Sequence, residues 1–252
     1  MKKVLLIIAA MFAMAQMNVS AANYAANNEA ATAVAAADED TDNDWGYSHP
    51  FETEPKEHWS ITTSGFYLGM GVKHNWDAIN NSFEVGLLNV IAVKYNTLHG
   101  QCFSLGAGIH HRSYSIKRPI MLVRENGVVV NGTYPSENVD AIKNRSSNLN
   151  QWTVQFPLIF TQRIYKKLGI SIAGIMNWNT YARVDNHYEL DNVVHDIKYK
   201  GLKQNKLNFD IMGALTVDGC GLYCRYSPGK YFKEGYGPEI KNTWTLGLVL
   251  AL

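Results

Sequence analysis

The segment Thr243-Trp-Thr-Leu-Gly-Leu-Val-Leu-Ala-Leu252 alternates large apolar residues with small or polar ones over ten positions. The large set is Trp244, Leu246, Leu248, Leu250 and Leu252. Successive side chains of a β-strand point to opposite faces, so a period of two indicates a strand with one apolar and one polar face. The segment therefore predicts a strand between two unlike environments, with Leu252 on the apolar face.

The same alternation recurs upstream and predicts seven further strands. They cover residues 59–72, 83–95, 103–109, 152–160, 168–181, 207–217 and 220–227. Each is near the roughly 9 to 11 residues that a tilted transmembrane strand needs. Two residues disturb the pattern: Asn89 falls on an apolar face and Pro157 stands in mid-strand. A β-bulge is the simplest prediction at Asn89, and a local bulge or bend is the simplest prediction at Pro157.

The connections between these strands alternate strictly between long and short. In chain order they are 73–82, 96–101, 117–148, 161–167, 182–204, 218–219 and 228–241. The shortest, Asp218-Gly219, is typical of a type I′ hairpin turn. Short periplasmic turns and long outer loops are expected of an even-stranded outer-membrane barrel. Residues 59–252 are therefore predicted to form an eight-stranded antiparallel up-and-down transmembrane β-barrel with both termini in the periplasm.

The residues before the barrel predict export. Lys2 and Lys3 precede an apolar run at 4–15 and small residues at 19–21, which predicts a signal peptide over residues 1–21. Residues 22–58 begin rich in Ala and Asn and turn acidic at 38–44, which predicts a disordered acidic periplasmic linker. A net charge of +1 gives no electrostatic reason to expect a nucleic-acid partner.

Alternation alone does not say which face is outside, and a soluble ligand-binding β-barrel remains an alternative. Aromatic residues near the strand ends favour the membrane, because they resemble interfacial girdles. One predicted rim holds Trp59, Tyr95, Phe103, Phe160 and Tyr165, and the other holds Phe83, Tyr114, Trp152, Trp178, Tyr181, Tyr226 and Trp244. The polar faces, rich in Gly, Ser, Thr and Gln, suit a filled lumen.

Three motifs resemble a known family. They are Ser104-Leu-Gly-Ala-Gly-Ile109, Val154-Gln-Phe-Pro-Leu158 and Leu222-Tyr-Cys-Arg-Tyr-Ser-Pro228, the last leading into the terminal strand. Their order and spacing are similar to the PorT-like small outer-membrane β-barrel proteins of Gram-negative bacteria. The resemblance implies a fold and a location rather than an activity. The chain departs from the pattern by ending in Leu252, where such barrels usually end in an aromatic residue.

The inward faces place polar and charged residues in the lumen. They are Glu84, Lys94, His110, Arg112, Gln155, Asp210, Tyr223 and Arg225. Eight-stranded barrels are just wide enough for side chains to fill, and buried charges must pair. The prediction is a salt-bridged plug in which the two carboxylates face Arg112, Arg225 and Lys94. The alternative is a narrow path that conducts water or ions.

One constellation is similar to the outer-membrane lipid A deacylases. His111 and Ser113 share the lipid-facing side of the third strand, and Glu125 follows in a predicted flexible loop. A serine nucleophile, a histidine base and an orienting carboxylate could act on acyl chains. This alternative is weakened because the His–Ser pair lies on the third strand rather than a late one, and because Glu125 falls in a loop. The expected role is non-enzymatic: structural, binding or assembly.

The loops 117–148 and 182–204 are long enough to carry function. The second contains His187, Asp191, His195 and Asp196, whose irregular spacing favours a polar loop over a metal site. No metal and no cofactor are expected. The expected partners are outer-membrane lipid, the barrel assembly machinery and a protein at the cell surface or in the periplasm.

Overall fold

The computed structural model describes residues 58–97, 100–135, 142–165 and 167–252. The predicted signal peptide lies outside these ranges, as does the predicted linker except for its last residue. Eleven strands are found in the described part of the chain. They are β1 His58–Lys73, β2 Ile79–Asn96, β3 Gln101–Ile116, β4 Ile120–Glu125, β5 Val128–Thr133, β6 Lys143–Tyr165, β7 Leu168–Leu190, β8 Val193–Lys200, β9 Leu207–Val217, β10 Cys220–Ser227 and β11 Thr243–Leu250.

Eight of these strands form a ring in chain order. β1, β2, β3, β6, β7, β9, β10 and β11 pair antiparallel with their neighbours, and β11 pairs with β1. Each therefore has a partner on both sides, which leaves the ring no free edge. The predicted all-β, eight-stranded antiparallel arrangement is confirmed, and so is the Asp218-Gly219 turn, with φ of 56° and 77°.

The ring has two unlike ends. The connections after β2, β6 and β9 meet the first residues of β1 and the last of β11 at what we call the short-turn end. The connections after β1, β3, β7 and β10 gather at the opposite, long-loop end. Among the described residues, no helix is long and apolar enough to cross a membrane.

The bulge predicted at Asn89 is confirmed, whereas at Pro157 no bulge is found. Between Leu87 and Ile91 the pairing of β2 with β3 shifts register, and both Leu88 and Asn89 are buried. Pro157 pairs with Ile175 of β7 without a shift. On its other side the β3–β6 ladder skips two residue pairs and resumes in the same register. The proline, which lacks an N–H, lies where that ladder is interrupted.

The two long loops predicted at 117–148 and 182–204 are corrected, because much of each is β-structure. β4 and β5 form a hairpin, β6 and β7 continue beyond the ring, and β7 turns into β8 through Asp191 and Asn192. An extra residue in β7, Thr180, donates its hydroxyl to the Trp152 carbonyl over 3.0 Å. After this extra residue, even positions of β7 face the interior instead of odd ones. The alternation of apolar and polar residues therefore changes parity at Thr180, and the sequence pattern does not show that the strand continues.

A cap of packed apolar residues covers the long-loop end. The buried members, called the cap cluster, are Ala78, Ile79, Tyr114, Ile116, Leu122, Val129, Leu149, Ala182, Val184, Leu202, Tyr231, Phe232 and Ile240. Tyr114 was predicted at the aromatic rim. It is 2% exposed instead and packs edge-on against Tyr231, with ring centroids 5.8 Å apart. The long loops are thus folded around a core of their own.

The prediction for Leu252 is also corrected, because its side chain does not continue the apolar outer face of β11. Ala251 has a φ of 56°, and its carbonyl accepts a hydrogen bond from the Gly65 N–H at 2.8 Å. This turn reverses the side-chain direction, so Leu252 is 9% exposed and packs inside the ring.

Candidate functional site

The outer face of the ring is an apolar belt. Its exposed large side chains, 38–64% accessible, are Met70, Val72, Val90, Ile91, Val93, Phe103, Leu105, Trp152, Leu158, Ile170, Ile172, Met176, Trp178, Leu207, Phe209, Ile211, Leu215, Val217, Leu222, Trp244, Leu246 and Leu248. Among the described residues, the outward positions between the two rims contain no Asp, Glu, Lys or Arg. Soluble monomers rarely expose apolar patches larger than roughly a few hundred Å².

Aromatic pairs border the belt at both ends. At the short-turn end Trp59 lies 4.7 Å from Tyr95 between ring centroids, and Trp59 is 71% exposed. At the long-loop end Tyr226 and Trp244 are 4.6 Å apart, and His111 packs against Trp152 at 4.7 Å. Tyr and Trp at such positions have an apolar body and a polar tip, which suits a boundary between an apolar and an aqueous phase.

The lumen contains a charged layer, defined by Tyr67, Glu84, Arg112, Asp210, Tyr223 and Arg225. The centre of the layer is Arg225, which is fully buried. Its Nε donates to Asp210 Oδ2 at 2.8 Å, its Nη1 to Tyr67 Oη at 2.8 Å and its Nη2 to Asn177 Oδ1 at 3.2 Å. A planar guanidinium bonded in several directions is well suited to burial beside a carboxylate.

Glu84 organises the other half of the layer. It accepts two hydrogen bonds from Arg112, through Nε at 3.0 Å and through Nη2. Its second oxygen accepts the Tyr223 hydroxyl at 2.9 Å. Because two carboxylates face two guanidinium groups, the layer is neutral overall, which limits the cost of burying four charges.

Other residues predicted for the lumen lie in or beside this layer. Gln155 is fully buried and accepts the Tyr67 hydroxyl at 3.0 Å. The Nε2 atom of His110 lies 3.4 Å from Glu84 Oε2. Lys94 is not part of the charged layer. It is only half-buried and pairs in the sheet with Ser60 and Ser104 towards the short-turn end.

Tyr67 is the member of the charged layer that the sequence pattern missed. Trp59 and Ile61 point outwards at odd positions, so a strict period of two would place Tyr67 outside as well. Gly65, with a φ of 74°, shifts the alternation, and Met70 is then outside while Tyr67 is fully buried. The sequence did carry a signal of this change. After Gly65 the large apolar residues of β1 continue at even instead of odd positions. Asn177 and Ser227, which bond Arg225 and Arg112, were also missed.

Glycines in the wall make room for the two tyrosines. A Cβ on Gly69 would lie 2.1 Å from Tyr223 Oη, and a Cβ on Gly86 would lie 2.6 Å from Tyr67 Oη. Both contacts are far shorter than van der Waals distance, so any side chain at these positions would displace the tyrosine. The rings of Tyr67 and Tyr223 meet edge-on at 5.6 Å and fill the section of the lumen between the glycines.

Packed residues lie on both sides of the charged layer. Towards the short-turn end an apolar cluster fills the ring, and it includes Leu88, Ile159, Ala173, Ile175, Met212, Val249 and Leu252. Towards the cap a cavity of about 20 Å³, lined by His110, Asn177 and Tyr231 among others, has room for roughly one water molecule. The lumen is therefore filled over most of its length.

The residues of the deacylase hypothesis are not assembled. His111 and Ser113 are half-buried on the outer side of β3, about 6.6 Å apart along the strand at ~3.3 Å per residue. Glu125 was predicted in a flexible loop, but it ends β4 and pairs with Val128. In the described ranges, no hydrogen bond joins any two of the three residues.

The polar residues of the second long loop lie on the β7–β8 hairpin. His187 Nδ1 is 2.7 Å from Asp196 Oδ1, and this hydrogen bond lowers the pKa of the Asp196 carboxyl. His195 stacks on Tyr188 at 4.9 Å, and Asp191 is in the turn. No group of three or more potential metal ligands occurs within the described part of the chain.

Comparison with known proteins finds similarity to a solved structure. It is Ail, the attachment invasion locus protein of Yersinia pestis, crystallised in complex with the heparin analogue sucrose octasulfate. The two chains are 14% identical, the match covers 78% of this chain and 99% of Ail, and the TM-score is 0.32. No protein-family model matches the chain, and no curated protein matches its sequence.

Proposed function

We propose that this chain is a non-conducting outer-membrane β-barrel of a Gram-negative bacterium, with a structural, binding or assembly role. The observation that carries the proposal is the apolar belt. A soluble ligand-binding barrel turns its apolar faces inwards, whereas this ring turns them outwards and buries four charges inside. Apolar faces outside and charges inside are favourable for all the strands of the ring only when lipid surrounds it.

The proposed orientation, with both termini in the periplasm, is supported by the two unlike ends of the ring. Short turns and both ends of the barrel segment lie together, which is the periplasmic side of outer-membrane barrels. The cap then faces the cell exterior and offers a folded surface to a partner. Membership in the PorT-like group is part of the proposal and is supported by the three strand motifs. The expected partners are outer-membrane lipid, the barrel assembly machinery and a surface or periplasmic protein.

A non-conducting, non-enzymatic lumen is supported by its bonding. The charged groups of the layer bond one another, and apolar clusters pack on both sides of it. Ions would have to displace both the layer and the apolar cluster beyond it. The polar groups of the lumen therefore serve the stability of the barrel, and the outer surface of the cap is the place for binding.

Three measurements on the purified chain test the proposal. We expect detergent-dependent solubility, migration on semi-native gels that changes on heating, and no discrete openings in planar bilayers. A monodisperse monomer without detergent would exclude the membrane barrel. Discrete openings from pure protein would exclude the filled lumen while leaving the location intact.

A further inference from the structure

β8 is an edge strand at the long-loop end. Among the described residues it pairs with β7 alone, and it stands last in the order of its sheet. An edge strand presents a row of unpaired backbone N–H and C=O groups, which is a template for pairing with another chain. The structure therefore leaves one side of β8, Val193–Lys200, open to a further strand.

The hairpin turn decides which backbone groups face that open side. Asp191 and Asn192 form a two-residue turn with φ of 52° and 61°, and Leu190 pairs with Val193 directly behind it. The pair behind such a turn is hydrogen-bonded, and bonded pairs alternate along an antiparallel ladder. The even-numbered residues of 194–200 therefore direct their N–H and C=O groups away from β7.

Most of this outward row has no partner. In the part of the chain that the structure describes, no hydrogen bond reaches the outward backbone groups of Val194, Asp196 or Lys198. The Lys200 carbonyl is occupied, because it accepts from Arg124 Nη1 at 2.9 Å. The side chains of Asp196 and Lys198 are exposed. Since charged side chains on an edge oppose pairing with most strands, the charges of β8 select the strand that can be added.

The charges of β8 fit a second copy of β8 in one antiparallel register. With Ile197 opposite itself, Asp196 of each copy lies opposite Lys198 of the other. Opposite charges on adjacent strands are stabilising, whereas like charges directly opposite are destabilising. A shift by two residues in either direction sets Asp196 or Lys198 against itself. A shift by one residue is excluded, because it brings the outward backbone groups of one copy opposite residues whose groups face β7.

The same register extends the charge pattern across four strands. Within one copy, Asp196 pairs with His187 of β7, whose Nδ1 is 2.7 Å from Asp196 Oδ1, and Lys198 pairs with Asp185. The row therefore contains His187 and Asp196 of one copy, followed by Lys198 and Asp185 of the other. No two neighbouring side chains in this row carry like charge. On the opposite face of the sheet, the half-buried Ile197 meets its own counterpart in an apolar contact.

The symmetry of this strand pair determines how the two rings are placed. Two identical antiparallel strands in one sheet are related by a two-fold axis perpendicular to that sheet. β7 is a single strand that pairs with β9 at Trp178 in the ring and with β8 beyond it. The sheet at β8 therefore continues the wall of the ring, and the axis is directed across the barrel. Rotation about this axis turns the second ring over, so the two copies do not share one membrane.

We propose that the open edge of β8 binds β8 of a second copy that is anchored in a facing membrane. The inference rests on the proposed outer-membrane location with the cap outside. Ile197 pairs with Asn186, which is about 25 Å along β7 from Trp178 at ~3.3 Å per residue. Two belts joined in this way are roughly 50 Å apart along the strands, which leaves space for both caps between them. The contact is isologous, so the chain joins two membranes without a second kind of protein.

Vesicle clustering tests the proposal. The full chain is inserted into two populations of phosphatidylcholine vesicles that carry different fluorophores, and clustering is measured by two-colour fluorescence cross-correlation. Many copies on each vesicle make a weak single contact measurable. Heat-modifiable migration verifies that each variant is folded and inserted. We expect vesicles that carry the unmodified chain to cluster and vesicles without protein to remain separate.

Two charge reversals test the register itself. Asp196→Lys or Lys198→Asp alone sets like charges opposite each other at both contacts, so each variant should cluster with itself at least about tenfold less. A mixture of the two variants in separate vesicles should recover clustering, because every contact again joins unlike charges. The matched controls, Glu234→Lys and Lys233→Glu, reverse exposed charges at the same end of the ring and should cluster like the unmodified chain.

Each contrary result has a distinct meaning. Failure of the mixture to recover clustering, or equal losses in the controls, would overturn the proposal. Association of copies within one vesicle without clustering would also overturn it, in favour of a lateral contact. An inserted, unmodified chain that never clusters refutes the β8 contact alone, whereas failure to insert into any lipid refutes the proposed function.

Discussion

The charged layer and the cap cluster are both buried, yet the first consists of charged and polar side chains and the second of mostly apolar ones. Arg225 and Glu84 are at most 1% exposed and are held by hydrogen bonds across the lumen. Leu122 and Leu149 are equally buried and are held by apolar contact. The difference follows from where each strand turns its apolar face. Within the belt that face points outwards, so polar side chains fill the interior, whereas beyond the belt the strands and loops pack as they do in a soluble protein.

The largest expected effect comes from removing the centre of the charged layer. Arg225→Met leaves Asp210 buried without its partner, and breaking a buried pair on one side costs about 3–5 kcal/mol. The free energy of unfolding by urea in lipid vesicles measures this loss. The double variant Arg225→Met/Asp210→Asn should recover part of it. A loss below about 1 kcal/mol would mean that the layer is hydrated rather than dry.

A comparable substitution in the cap should act locally. Leu122→Ala removes a fully buried side chain of the cap cluster, at a cost of about 2–5 kcal/mol to that cluster. We expect faster amide exchange in β4, β5 and β8, with an unchanged unfolding midpoint for the ring. Val193→Ala, at a position that is 55% exposed, is the control. A fall in the midpoint equal to that of Arg225→Met would show that the two regions unfold as one.

A smaller effect is expected from overfilling the wall beside the charged layer. Gly69→Ala places a Cβ against Tyr223, and overpacking of this kind costs about 1–3 kcal/mol. Gly213→Ala is matched to it, because a Cβ there meets nothing within 4 Å. The urea midpoint of the Gly69 variant should fall while that of the Gly213 variant stays. Equal midpoints would indicate that Tyr223 can move out of the layer freely.

The smallest effect concerns the exposed hairpin of the cap. The hydrogen bond from His187 lowers the pKa of Asp196, so its stabilisation is present above the unfolded-state pKa and is lost as pH falls through the folded-state value. NMR titration of the Asp196 carboxyl should show a pKa that rises towards its usual value in His187→Gln. An unchanged pKa would show that the two side chains do not bond in solution.

The ring was more predictable from sequence than either buried region. Alternation in segments such as 243–250 follows directly from a strand between two phases, and the Asp218-Gly219 turn has a local signature. Tyr67 was missed because one glycine with positive φ, Gly65, changes the parity in the middle of β1. The continuation of β7 was missed because the extra residue Thr180 also changes the parity of its strand. The cap depends on contacts between distant loops, which no local pattern encodes.

The central claim is that the belt faces lipid, and one pair of substitutions tests it most directly. Leu248 of the belt is 56% exposed and Val194 of the cap is 57% exposed, so exposure does not distinguish them. In lipid vesicles, Leu248→Arg should cost about 2–4 kcal/mol of unfolding free energy, because a charge would enter the apolar phase. Val194→Arg should stay within about 0.5 kcal/mol of the unmodified chain. Equally small costs for both substitutions would contradict the account.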